Sequence, residues 1–276
     1  LAANQEHLSF YHKSFKDWII SDEADEYIVD YDFGLKSLAS GIYKSYEKDK
    51  SAMNDFELKH FITYMEASKD PNLGEVLADG DLAKLMMKRA REKAENFAYG
   101  ESVKLGHMAY KICENINKKE QASKTALFMG DVFDAMCQLD ESIKWCQKGL
   151  DVIEDEKNLA DKNLPGELRL RLADAIFRKN EWKEAIDQFH KAYLYYDEIS
   201  NQNKKLEAMI LEANTLRNAT DYKKSIALFE EIEDELRNKD FKKENEGQYI
   251  NYLINYAWAL QENGDGLEAI ECIEKA

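Results

Sequence analysis

Proline is nearly missing from this sequence and glycine is sparse, with 2 and 12 among 276 residues. Sandwiches and barrels reverse the chain every roughly 8–12 residues with such punctuation, so those folds are excluded and long helices are favoured. Cysteine is scarce too. Cys113, Cys137, Cys146 and Cys272 show neither a CxxC pair nor another metal spacing. Cys146 and Cys272 fall on expected core faces, and all four read as reduced structural thiols of a cytoplasmic protein. No run of 18 apolar residues and no signal peptide is present, so neither a membrane span nor export is expected. Basic residues are the minority, 38 against 54 acidic ones, for a formal charge of −16. Such a balance argues against a nucleic-acid surface and against docking on an anionic membrane.

Signatures of chemistry are missing as well. There is no GxxxxGK[ST] loop, and Gly74, Gly80, Gly100 and Gly106 stand alone. There is no GxSxG, no HExxH and no cysteine beside a plausible partner histidine. Acid pairs such as Asp131 with Asp134, or Asp151 with Asp155, are expected by chance in so acidic a chain. No catalytic residue, cofactor or metal ligand is assigned, and the chain is read as a non-enzyme.

What the sequence does contain is a repeated phrase. In Glu181-Trp-Lys-Glu-Ala-Ile-Asp-Gln-Phe-His-Lys-Ala192, the residues Ala185, Phe189 and Ala192 line one helical face behind Trp182. Upstream, Leu172, Ala173 and Ile176 form the apolar face of a helix ending near Asn180. Two such helices joined by a short polar turn make a hairpin, with small residues at the crossing. Met129, Gly130, Phe133, Leu139, Ser142, Cys146 and Gly149 repeat the phrase upstream; Ala213, Leu216, Tyr222, Ser225, Phe229 and Ile232 repeat it downstream. Tyr256, Ala257, Leu260, Ala269, Ile273 and Ala276 give it a last time. The small residues at 142, 185, 225 and 269 are 43, 40 and 44 apart, the self-similarity of a solenoid.

The order of small, aromatic and small residues over positions 120–276 resembles the tetratricopeptide repeat (TPR). The long steps look like the extended repeats of kinesin light chains. A second resemblance lies at the N-terminus. Leu8-Ser-Phe-Tyr-His-Lys-Ser-Phe-Lys-Asp-Trp18, Tyr27-Ile-Val-Asp30, Gly34 and Leu38-Ala39 look like the end of the regulatory module of NACHT/STAND-type signalling ATPases. Leu35 departs from that pattern, where a histidine commonly follows the glycine. The resemblance implies an ATPase domain upstream of Leu1, acting in cis, with oligomerisation through that parent. His7 and His12 either contact a nucleotide or partner domain there or are packing and surface residues.

The expected fold is therefore all-α, a right-handed superhelix of TPR-like hairpins preceded by a small winged-helix-like remnant. Residues 1–48 are assigned to the regulatory module, with a short strand at Leu8 and Phe10, a helix carrying Phe15, Trp18 and Ile19, an extended piece over 27–33, and a helix over 34–46 using Leu35, Leu38, Ile42 and Tyr46. Residues 49–118 read as a helical connector: a helix over 55–68 stopped by Pro71, another capped by Asp81 and running to Phe97, and a third over 102–116. The last two are read as a degenerate first repeat. Residues 119–276 are the repeats, expected to continue further. Charged links at 154–167, with a turn at Leu164-Pro-Gly166, and at 237–247 separate hairpins.

In the resembled family the first helix of each hairpin lines a concave groove that holds an extended peptide or partner helix. Counting from Gly130, Ala173, Ala213 and Ala257, the groove candidates are Asp131, Asp134, Leu170, Asp174, Arg178, Ile210, Asn214, Arg217, Asn251, Ile254 and Trp258. Asn214 and Asn251 suit a ligand backbone, and Trp258 an apolar anchor. The expected role is a scaffold binding a protein or peptide, the sensing arm of a larger ATPase. A free-standing adaptor of kinesin-light-chain type and a peptide-responsive bacterial regulator are the alternatives.

Overall fold

The computed structural model describes residues 2–4, 7–9, 30–156, 158–236 and 246–275. Among them thirteen α-helices pack in chain order, as expected for an all-α repeat array. One antiparallel pair of three-residue strands precedes them, β1 (Ala2–Asn4) and β2 (His7–Ser9), with Ala3 opposite Leu8. Phe10, His12, the segment around Phe15, Trp18 and Ile19, and hence most of the expected winged-helix-like remnant lie outside the described residues.

Asp30 opens α1 (Tyr31–Asp49), its carboxylate accepting the Phe33 N–H at 2.8 Å. The helix begins ahead of Gly34, so residues 31–33 form its first turn and not the end of an extended piece. Its buried stripe is Leu35, Ala39 and Ile42; Leu38, at the stripe's edge, is exposed. Next, α2 (Asp55–Ser68) starts on a reciprocal cap: Asn54 Oδ1 accepts the Glu57 N–H at 3.0 Å, and Glu57 Oε2 accepts the Asn54 N–H at 2.8 Å. It buries Leu58, Phe61, Ile62 and Met65. The single turn α3 (Leu73–Val76) leads into the array.

Five hairpins follow: α4 (Gly80–Glu95) with α5 (Tyr99–Asn115), α6 (Lys119–Ala135) with α7 (Leu139–Ile153), α8 (Leu164–Arg178) with α9 (Trp182–Glu198), α10 (Gln202–Asn218) with α11 (Tyr222–Leu236), and α12 (Glu246–Asn263) with α13 (Gly266–Lys275). Asp79, not Asp81, caps α4, accepting the N–H groups of Asp81 at 2.9 Å and Leu82 at 3.1 Å. Leu164-Pro-Gly166 is not a turn but the opening of α8. Proline fits there because the first helical N–H groups have no partner inside the helix.

One turn device joins the two helices of every hairpin. Phe97, Cys137, Asn180, Thr220 and Gly264 all have φ between 57° and 101°, in the left-handed region. Each donates its N–H three residues back, and its successor donates five back, as in Phe97 to Ala94 O at 3.0 Å and Ala98 to Lys93 O at 2.9 Å. Only the last of the five is a glycine. The first four therefore accept some conformational strain to close the turn.

One crossing recurs as well. The small residues Ala90, Gly130, Ala173, Ala213 and Ala257 on the first helices lie twelve before Ser102, Ser142, Ala185, Ser225 and Ala269 on the second. All ten are buried. In two hairpins a hydroxyl pins the crossing: Ser102 Oγ donates to Ala90 O and Ser225 Oγ to Ala213 O, both at 2.8 Å. The hairpin of α4 and α5 thus has the same geometry as the rest. Beside the crossings sit the aromatics Phe189, Tyr196 and Phe229, each within 1% of full burial and worth about 2–3 kcal/mol.

Candidate functional site

The expected groove residues lie on the first helices α6, α8, α10 and α12. The structure brings three expected residues together. Asp131 of α6 with Leu170 and Asp174 of α8 line a hollow of about 250 Å³, closed on its far side by Glu207 and Leu211 of α10. Arg171 lies in the same hollow and its Nε pairs with Asp131 at 2.8 Å. Asp134 pairs with Arg178, again bridging α6 and α8. Loss of water pushes the carboxyls of both Asp131 and Asp174 above the usual range, against the pull of Arg171.

Farther along, Arg217 reaches from α10 to α12. Its guanidinium meets Glu262 at 3.4 Å and lies 5.1 Å from the ring centroid of Trp258. Trp258 remains 50% exposed and Ile254 36%, so an apolar surface stays open there. Asn214 keeps a buried amide oxygen with no hydrogen-bond donor. The Asn251 amide oxygen is engaged, accepting Asn255 Nδ2 at 2.8 Å, which leaves it less suited to a ligand backbone than expected. Ile210 is not a groove residue. At 3% exposure it belongs to the core beneath α10, because Leu211 takes the outward position at that turn.

A second hollow, about 830 Å³, lies at the junction of α4, α5 and α6, and no expected residue falls in it. Lys84, Lys88 and Arg91 line it from α4, with Lys118 and Lys124 across from them, Ala83, Met87 and Ile116 as apolar floor, and the carboxylates Asp79, Asp81, Glu92 and Glu95 at its margin. Lys84 is paired with Asp81 at 2.9 Å, and Lys124 with Glu120 at 2.9 Å and Asp161 at 3.2 Å. Lys88, Arg91 and Lys118 have no ion-pair partner among the described residues. The sequence held a signal for this end of the groove: Ala90 and Ser102 stand at the same interval of twelve as the other crossings.

Among the described residues no cluster of three His, Cys, Asp or Glu is arranged to hold a metal. None of their helices is long and apolar enough to cross a membrane. The buried thiol of Cys146 is pushed up to about 12 by loss of water, the opposite of a nucleophile's requirement.

The sequence matches no protein-family model and no curated protein. Its fold does resemble solved structures. A putative kinesin light chain from Podospora anserina, built of nearly identical TPR-like repeats, is 17% identical with a TM-score of 0.58, over 70% of this chain and 91% of that one. A STAND protein with a tetratricopeptide repeat sensor from Pyrococcus horikoshii is 16% identical with a TM-score of 0.60, over 90% of this chain. This chain spans only 36% of that protein's length. The apo form of RapI is 11% identical with a TM-score of 0.52, over 87% of this chain and 95% of that one. At such identities the shared property is the fold: a TPR-like array of helical hairpins.

Proposed function

We propose that this chain is a non-catalytic scaffold that binds an extended peptide or a partner helix along its first helices. The observation that carries this reading is a pair of hollows lined mainly by first helices, with a half-exposed tryptophan beside an arginine farther along. A surface with unsatisfied cations at one end and an open aromatic at the other offers a ligand both polar register and an apolar anchor. Selection of a displayed random-peptide library on the full chain tests it. Enrichment that disappears with Trp258→Ala or with charge reversal in either hollow is expected. A chain that enriches nothing would remove the reading.

The larger setting we infer is the sensing arm of a STAND-type ATPase. It is supported by the NACHT-like phrase over residues 8–39 and by the TPR-sensor fold of the Pyrococcus horikoshii protein. Binding would then bias the ATPase in cis only if the ligand contacts differ between its two states. The coding sequence upstream of Leu1 decides this point. A GxxxxGK[ST] motif within a few hundred codons supports it, and a nearby start codon leaves a free-standing adaptor.

A further inference from the structure

We infer that the hollow between α4, α5 and α6 is an anchoring site for a run of acidic side chains, aspartates or glutamates, in the bound peptide. This rests on the groove reading above and assigns one end of the groove its ligand chemistry. In a chain of net charge −16, the hollow is lined by five cations and four carboxylates. Of these carboxylates, Asp79, Asp81 and Glu92 are already paired, with Lys50, Lys84 and Arg89. Three of the cations, Lys88, Arg91 and Lys118, have no ion-pair partner among the described residues. By contrast Asp131 and Asp134 in the neighbouring hairpin are both matched by arginines.

The spacing selects among anions. Lys84, Lys88 and Arg91 stand at i, i+4 and i+7, so they share one helical face and span about 10 Å of axis. Alternate side chains of an extended peptide lie about 6.6 Å apart, so two or three acids in a short run match that span. A lone phosphoryl group needs donors converging on one point, best an arginine fork, and only one arginine is present here. The apolar floor of Ala83, Met87 and Ile116 takes the aliphatic stems between the charges.

The peptide-display selection on the full chain, run in parallel on K88E/R91E, tests the inference. Both side chains are lining residues of an open hollow, and circular dichroism checks that the variant folds. Peptides enriched on the unmodified chain are expected to carry two or more acids within four residues, and the variant is expected to lose that bias. A synthetic peptide from the enriched set should bind about tenfold more weakly to the variant by fluorescence anisotropy. Its Asn/Gln isostere should lose binding to a similar degree, and rising salt should weaken the acidic peptide most. Enrichment without acidic bias, or equal bias in the variant, overturns this inference and leaves the groove reading intact. Preference for a phosphoserine peptide over its Asp/Glu form overturns the assignment to carboxylates. Enrichment of no peptide at all overturns the groove reading and this inference with it.

Discussion

The first and third hairpins share a backbone plan and differ in what they do with it. Both cross at a small pair, Ala90 with Ser102 and Ala173 with Ala185, and both turn through a left-handed residue, Phe97 and Asn180. Seven residues before the first of each pair stand Ala83 and Gly166; eleven after the second stand Cys113 and Tyr196. In the third hairpin the Tyr196 ring lies on Gly166, so close that an added Cβ would be 2.4 Å from Cζ. In the first, Ala83 and Cys113 are too small to fill that place, and both line the large hollow. The groove faces diverge in step: Lys84, Lys88 and Arg91 in one, Glu167, Arg171 and Asp174 in the other. The lesson is that crossing and turn fix the solenoid, while the two partners beside the crossing differ in whether an aromatic ring fills the space between them.

The comparison breaks most sharply at Gly166. Gly166→Ala forces the buried Tyr196 ring to shift and is expected to cost about 2–3 kcal/mol in urea unfolding. Ala83→Gly, its counterpart, should cost only about 1 kcal/mol through helix propensity. Comparable losses at the two sites would remove the contrast.

Transplanting the third hairpin's pair into the first sharpens it. Cys113→Tyr alone meets the Ala83 methyl and should be destabilising, whereas A83G/C113Y should recover about 1–2 kcal/mol of that loss. The double variant should also fill the hollow and abolish acidic-peptide binding. A fold that recovers together with full binding would detach the hollow from the ligand.

The serine pin is a smaller difference. Ser102→Ala removes the 2.8 Å bond to Ala90 O inside the core and should cost about 1 kcal/mol. Ala185→Ser, at the equivalent crossing of the third hairpin, should be close to neutral, its hydroxyl donating to Ala173 O as Ser225 does to Ala213 O. Thermal melts of the two variants check this pair.

The turns should respond in the opposite direction. Phe97→Gly relieves a left-handed phenylalanine that is 79% exposed and should stabilise by about 0.5–1 kcal/mol. Asn180→Gly should gain only a few tenths, because asparagine tolerates that conformation better.

The smallest expected effect is electrostatic. The folded state holds the Asp174 carboxyl above its ordinary value, so between the two values it binds more protons than the unfolded chain. Its ionisation therefore removes stability as pH rises through that window. Asp174→Asn should be more stable than the parent at pH 7, by less than about 1 kcal/mol. The advantage should shrink as pH falls below the ordinary carboxylate range. An advantage that grows on acidification would contradict the sign.

Much of the array was legible because its core repeats a rule. A buried small residue and a buried aromatic recur at helical spacing, and that spacing is set by backbone geometry common to every hairpin. The turns were located but not explained: the usual glycine signal is present only at Gly264, and Phe97, Cys137 and Thr220 give no such sign. The groove was half legible. Asp131, Leu170 and Asp174 line one hollow, whereas Ile210, at the same offset from Ala213 as Leu170 from Ala173, packs into the core beneath α10, a difference set by the neighbouring hairpins and not by the offset.

The sequence by itself determined the helices, their pairing and the interval of twelve between crossing residues, since these follow from local periodicity and residue size. Tertiary structure alone decided which cations find partners and which do not. Asp131 meets Arg171 across 40 residues and Asp134 meets Arg178 across 44, while Lys88 and Arg91 meet no carboxylate among the described residues. That outcome depends on how far one hairpin is rotated on the next, a quantity summed over every packed side chain between them and written in no single stretch of the chain.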